Sequence, residues 1–251
     1  MSAQEHFNAM IFGEPVVAVM EKLWHVFTNF GIKKTHSKKI LLAVGGWNFG
    51  SADFSHMVKN EQLRKDFVQQ ATLFIRDHQF DGLDLDWEYP ANRQGSRPQD
   101  KQLFTSLIKE LKVAFEPYNL LLTAVVAAEK STIETAYEID KIAKYIDFIN
   151  LMTYDFHAGE SKNMTSHHTA LYEHPQEDQY QITLNQNWSI NYWIKQGMPK
   201  EKITMGLATY GRTFKLLNNS DRGNRLLSSG PGEPEKYTKE YGFIAYYEVK
   251  L

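Results

Sequence analysis

Two hydrophobic rhythms alternate along the chain. Short apolar runs at 40–44, 82–88, 120–126, 147–153 and 202–208 read as strands. Between them, apolar residues recur every third or fourth position, as on one face of a helix. Residues 61–78 put Leu63, Phe67, Ala71 and Phe74 at that spacing, and 98–115 put Leu103, Leu107, Leu111 and Phe115 there, with Pro98 suited to a first turn. A weaker helix is expected over 137–145, and another over 183–196 with Trp188, Tyr192 and Trp193, stopped by Gly197 and Pro199. Near the start, 17–30 reads as a helix and 7–12 as a short strand. Strands alternating with helices predict an α/β protein with a parallel sheet. A long polar connection spans 156–180, and from residue 218 Gly, Pro, Ser and Tyr dominate, which predicts a loop and a small β-rich excursion.

The second strand changes the picture. It reads Asp81-Gly82-Leu83-Asp84-Leu85-Asp86-Trp87-Glu88-Tyr89-Pro90, with four acids in eight positions. Side chains alternate across a strand, so Asp84, Asp86 and Glu88 share one face at intervals of roughly 7 Å, while Leu83, Leu85 and Trp87 face a core. Like charges in a row disfavour ionisation, so at least one acid is expected to keep its proton to higher pH than a free carboxyl. A proton-holding acid beside an ionised one is the equipment for cleaving a glycosidic bond. A solvated edge strand does not account for the leucines and the tryptophan. A calcium loop needs polar spacers and a Gly at its sixth position, where Tyr89 stands.

Composition narrows the alternatives. The chain has 251 residues, 42% of them hydrophobic, enough for one sizeable core. A net charge of −2 without a basic block argues against nucleic acid as a partner. The longest apolar run, 120–128, is half of what a membrane crossing needs, and the first residues lack the pattern of a secretory signal. The absence of cysteine rules out disulfides and thiolate zinc sites. The pair His167-His168 lacks the spacing of zinc ligands and reads as solvated; no metal and no cofactor is expected. Sequons begin at Asn163, Asn187 and Asn218, about the number chance supplies in a chain this long.

With these residues in view, the chain resembles glycoside hydrolase family 18, the chitinases and chitinase-like lectins of animals. The resemblance runs from about Leu23 to Glu248. It rests on the complete signature Asp81, Asp84, Asp86, Glu88; on 42–50 (Leu-Ala-Val-Gly-Gly-Trp-Asn-Phe-Gly); on 152–157 (Met-Thr-Tyr-Asp-Phe-His); and on 209–214 (Thr-Tyr-Gly-Arg-Thr-Phe). The tail from Gly230 to Glu248 is similar to the family's α+β insertion. The resemblance implies a (β/α)8 TIM barrel, here partial: strands 3–7 are clear and strands 1 and 8 are missing. Residues 1–217 are expected to form the partial catalytic barrel and 218–251 the start of the insertion domain.

The resemblance also implies a reaction, hydrolysis of β-1,4 N-acetylglucosamine linkages of chitin by substrate-assisted, retaining catalysis. Glu88 is given the role of the acid that protonates the leaving oxygen, Asp86 orients the substrate's acetamido group, and Asp84 tunes Asp86. Asp81 supports the row from the start of the strand. Tyr154 donates a hydrogen bond to the acetamido carbonyl. Met152, Asp155, Tyr210 and Arg212 line or hold the sugar site, and Trp47 offers a stacking face. Each has a plainer alternative: Trp47 as core, Arg212 in a structural ion pair, Met152 as packing. The chain departs from the family in lacking the final strand with its sugar-floor tryptophan, and in carrying Ala158-Gly159-Glu160 where Gly-x-Trp is usual and Ala43 where Ser is frequent; the cysteine expected after Tyr246-Tyr247-Glu248 is either replaced by Lys250 or lies beyond the end. The implied partner is chitin or chitooligosaccharide, not nucleic acid or membrane, and the intact parent is expected to be an extracellular monomer. Two rival readings are a non-catalytic chitin-binding lectin, against which Glu88 speaks, and an inactive truncated fragment.

Overall fold

A computed structural model describes residues 38–157, 164–218, 220, 223 and 225–249. The expected strand at 7–12 and helix at 17–30 lie outside these residues, as do Ala158, Gly159, Glu160, Asn163, Asn219 and Lys250. The described residues divide into two compact units: those within 1–127, 131–150 and 194–204 form the first, and those within 128–130, 151–193 and 205–251 the second.

In the first unit β1 (Leu41–Gly45), β2 (Gly82–Asp86) and β3 (Leu121–Ala127) open a five-stranded sheet that β4 (Phe148–Met152) and β5 (Ile203–Met205) continue in the order of the sequence. β1 and β3 both run parallel to β2, with Ala43 and Thr123 flanking Asp84 in register. Leu42, Val44, Leu83, Leu85, Leu122, Ala124 and Val126 are all buried; they alternate along their strands, so they build one buried face of the sheet. Two glycines permit the close approach of these strands. A Cβ on Gly82 would stand 2.1 Å from the Leu121 carbonyl oxygen, and one on Gly45, whose φ is +119°, would stand 2.0 Å from the Asp86 carbonyl oxygen.

Helices α1 (Ala52–Lys59), α2 (Glu61–Asp77) and α3 (Asp100–Phe115) pack in the same unit. The Asn60 side chain starts α2 by accepting from the Gln62 and Leu63 amides at 2.8 and 3.1 Å. The buried face of α2 is Val68, Ala71, Phe74 and Ile75, so Leu63, expected inside, is on the surface. On α3 the buried face is Phe104, Leu107, Ile108, Leu111 and Phe115. The helix α1 was not expected from the sequence; at eight residues it is too short to set up a convincing period. The helix expected over 137–145 is only four residues long, α5 (Ile139–Ile142), and a further short helix, α4 (Lys130–Ala136), precedes it.

The second unit holds most of α6 (Gln186–Lys195) and two small antiparallel pairs. β6 (Tyr210–Arg212) pairs with β9 (Phe243–Ala245), and β7 (Phe214–Leu216) with β8 (Ser228–Pro231). The β-rich excursion thus begins at Tyr210, eight residues before the composition changes.

Candidate active site

In the first unit the site is built at the end of β2. Leu83, Leu85 and Trp87 are fully buried, which turns Asp84 and Asp86 to the opposite side. The wall behind is aromatic: Trp87 stacks on Phe54 at 5.1 Å and meets Phe104 edge-on at 6.0 Å. The Trp87 indole N–H donates to Ser51 Oγ at 3.0 Å, and Ser51 donates to the Tyr89 carbonyl at 3.1 Å. These contacts hold the turn that carries Glu88, which is itself buried. Arg93 adds a clip from outside, donating to the Glu88 carbonyl at 3.1 Å and the Trp47 carbonyl at 2.6 Å.

The acids differ in what they touch. Asp84 Oδ1 accepts from Thr123 Oγ1 at 2.6 Å and from Asn150 Nδ2 at 3.2 Å. Burial raises its pKa, and those two hydrogen bonds only partly offset the rise. Asp86 has no such help. Its Oδ1 is buried without a hydrogen-bond partner, and its pKa is pushed up to about 7, first by burial and then by the charges of Glu88 and Asp84. One acid of the row does hold its proton high, as the alternation of charges suggests, but desolvation outranks repulsion as the cause. Burial and the nearby carboxylates also raise the hydroxyls of Tyr89 and Tyr137, keeping both rings protonated. The Tyr137 hydroxyl is pinned by the Ala127 amide at 3.2 Å.

Asp81 stands at the opposite end of the strand. Its carboxylate accepts from the Ile40 amide at 2.9 Å and pairs with Lys39 at 3.2 Å. These are the contacts of a group that ties the starts of β1 and β2 together, so its grouping with the substrate-binding residues gains no support from its position. Trp47 is not core: it is 58% exposed, with the Arg93 guanidinium 3.8 Å over its ring.

The second unit brings Tyr154, Asp155, Tyr210 and Arg212 together. Arg212 grips Asp155 with two parallel hydrogen bonds of 2.6 and 2.7 Å. Burial works against the Asp155 charge, but contacts with His168, Arg212 and Tyr210, with the charge of Arg212, hold its pKa well below the usual carboxylate range. The same pairing raises the pKa of Arg212, so the pair stays ionised at every physiological pH. Burial and Asp155 together raise Tyr210. The Tyr154 and Tyr210 rings meet edge-on at 6.0 Å. Met152 closes β4, half-buried. His168, read from the sequence as solvated, is buried against Asp155 and Tyr210.

Several residues of the site went unnoticed in the sequence. Thr123 and Asn150, which hold Asp84, had a signal: each is a lone polar residue in an apolar strand. Tyr137, Arg93 and His168 had none, because their contacts cross loops.

Comparison with known proteins matches residues 10–251 to the family described as glycosyl hydrolases family 18. Chitotriosidase-1 of Mus musculus is 44% identical over 86% of this chain and 48% of its own length. The chain spans about half the length, or less, of the curated relatives it matches. Among solved structures, Ostrinia furnacalis Group IV chitinase in complex with allosamidin superposes with a TM-score of 0.81 at 36% identity, covering 92% of this chain and 61% of that one. Human YKL-39, described as a pseudo-chitinase with retained chitooligosaccharide binding, gives 0.82 at 37% identity, covering 91% and 63%.

Proposed function

The chain belongs to glycosyl hydrolases family 18, and from that premise we propose that it carries the acid row of a chitinase cutting β-1,4 N-acetylglucosamine linkages. Glu88 hands its proton to the departing glycosidic oxygen as the bond to the anomeric carbon breaks. The acetamido carbonyl oxygen of the same sugar forms the new bond to that carbon from the opposite face. Asp86 accepts the acetamido N–H and stabilises the positive charge that develops on the ring so formed. Water then opens the ring, returning a proton to Glu88 and leaving the β configuration. Asp84, fixed by Thr123 and Asn150, sets how readily Asp86 ionises. Tyr154 donates to the acetamido oxygen, while Tyr210, Asp155 and Arg212 hold the sugar and Met152 lines the cleft. In this reading 1–217 belong to the barrel and 218–251 begin the insertion domain, and the intact parent works as an extracellular monomer.

The observation that carries the reading is Asp86: a buried, unpaired carboxylate oxygen with a pKa near 7, two residues from a buried glutamate. A stabilising fold has no reason to keep such a group. The lectin reading draws on the likeness to a pseudo-chitinase, but a binding-only site has no need of a proton held at Asp86 beside Glu88. Time-resolved proton NMR of chitooligosaccharide cleavage by the full-length protein tests the reading. The β anomer is expected to accumulate first; initial release of the α anomer, or no cleavage, would contradict it.

A further inference from the structure

His168 lies between two segments that carry four of the proposed sugar-holding residues, Tyr154 and Asp155 on one, Tyr210 and Arg212 on the other. It is 8% exposed. Its Nε2 faces the Tyr210 carbonyl oxygen at 3.1 Å, and a carbonyl only accepts, so Nε2 carries the hydrogen. Its Nδ1 accepts a hydrogen bond from the Asp155 amide at 3.3 Å. The Asp155 Oδ1 is 3.5 Å from the same nitrogen. The His168 backbone carbonyl accepts from the Phe156 amide at 3.0 Å. The ring also lies against that of Tyr210, with centroids 5.0 Å apart.

Asp155 needs this support. Its φ is +59°, a left-handed backbone that a residue other than glycine adopts at a cost. The turn also aims its carboxylate at Arg212. An aspartate held only by the arginine would be free to swing with that long side chain. One hydrogen bond accepted at Nδ1 and one donated from Nε2 of the same rigid ring set the spacing between the Asp155 turn and the Tyr210 strand, and so the direction in which the ion pair points.

We infer that His168 is a positioning residue for the Asp155–Arg212 pair, acting on sugar binding through Asp155 and Tyr210 without touching the sugar. This rests on the reading of those residues as sugar-holding groups under the proposed function. Three variants separate the ring's contacts. His168→Asn keeps a polar atom near the place of Nδ1, His168→Gln keeps a donor near that of Nε2, and His168→Ala keeps neither.

Kinetics on N-acetylchitotetraose, with melting curves in parallel, read the result on the full-length protein. The Ala variant is expected to raise KM about tenfold with a smaller change in kcat, the mark of lost substrate positioning. Asn is expected to recover most of that loss and Gln less, because the Asp155 contact sets the pair. Combining His168→Ala with Arg212→Ala is expected to cost little more than the worse single change, since both act through one contact. Unchanged KM in the folded variants, with kcat falling only as the folded fraction falls, would overturn the inference while leaving the hydrolytic function intact. Should the wild type bind the tetrasaccharide without cleaving it, the hydrolytic reading fails alone. The ratio of dissociation constants from calorimetry then decides the role of His168 by the same pattern. A wild type that neither cleaves nor binds overturns both.

Discussion

The end of β2 and the Asp155–Arg212 cluster each gather charge in a partly buried place, yet they satisfy it in opposite ways. Asp155 has a bidentate guanidinium and a phenol on its carboxylate, and its charge is secured. Asp86 has a buried oxygen with no partner and two carboxylates for neighbours. Asp84 is intermediate, with two neutral donors that only moderate its burial. Groups that must hold a ligand are completed by the protein before the ligand arrives. Under the proposed function Asp86 meets its partner, the acetamido N–H, only when substrate binds, so the protein leaves that oxygen incomplete, while Glu88 beside it exchanges the proton.

The largest effect that sharpens this contrast comes from Glu88→Gln. Hydrolysis of chitooligosaccharide is expected to fall by about 10²–10⁴-fold, the usual worth of a general acid, with the dissociation constant little changed. Ordinary turnover by this variant would break the division between proton-exchanging and ligand-holding groups. On the other side, Arg212→Lys replaces the two-pronged grip by a point charge. KM is expected to rise about tenfold, with the smaller effect on kcat that a holding residue implies.

Stability gives a third test, of opposite sign in the two regions. The Asp86 pKa is raised in the fold, so its contribution is fully present below the unfolded value near 4 and is lost as pH rises through about 7. The neutral Asp86→Asn side chain escapes that loss. Its melting temperature above pH 7 is expected to exceed that of the wild type by several degrees, on the order of 2–4 kcal/mol, and to converge with it near pH 4. The Asp155 pKa is lowered, so its contribution is present above the unfolded value and disappears only on strong acidification. Asp155→Asn is therefore expected to destabilise at neutral pH. The smallest effect belongs to Trp47→Ala. An exposed ring contributes little to folding, so the melting curve is expected to stay within about 0.5 kcal/mol. Oligosaccharide affinity falls by about 0.5–1.5 kcal/mol if the ring stacks on sugar.

How much of this could be read from the chain follows the range of each interaction. The core strands of the sheet are legible because each is a short run rich in apolar residues, set apart from its neighbours by helical periods and turn residues. The acid row is legible because a strand's period of two puts Asp84 and Asp86 on one side and Leu83 and Leu85 on the other, as the burial shows. β5, expected over seven residues, is only three long, because Gly206 and Leu207 satisfy the local pattern without continuing the ladder. β6 escaped notice altogether: its partner β9 is more than thirty residues away, and neither is longer than three. His168 failed for a similar reason. Nothing in the row of residues around it marks it as the neighbour of Asp155, thirteen positions earlier. Asp81 shows the converse limit, since a motif joins residues by spacing while the strand carries them to opposite ends.

The account stands most directly on the state of one carboxyl group. Carbon-13 NMR of aspartate-labelled protein, with Asp86→Asn to assign the signal, follows that group through a pH titration. An apparent midpoint near 7, coupled to a second carboxylate, is the predicted result. A midpoint near 4 would mean that Asp86 is an ordinary ionised side chain, and would remove the reason for placing the chemistry at the end of β2.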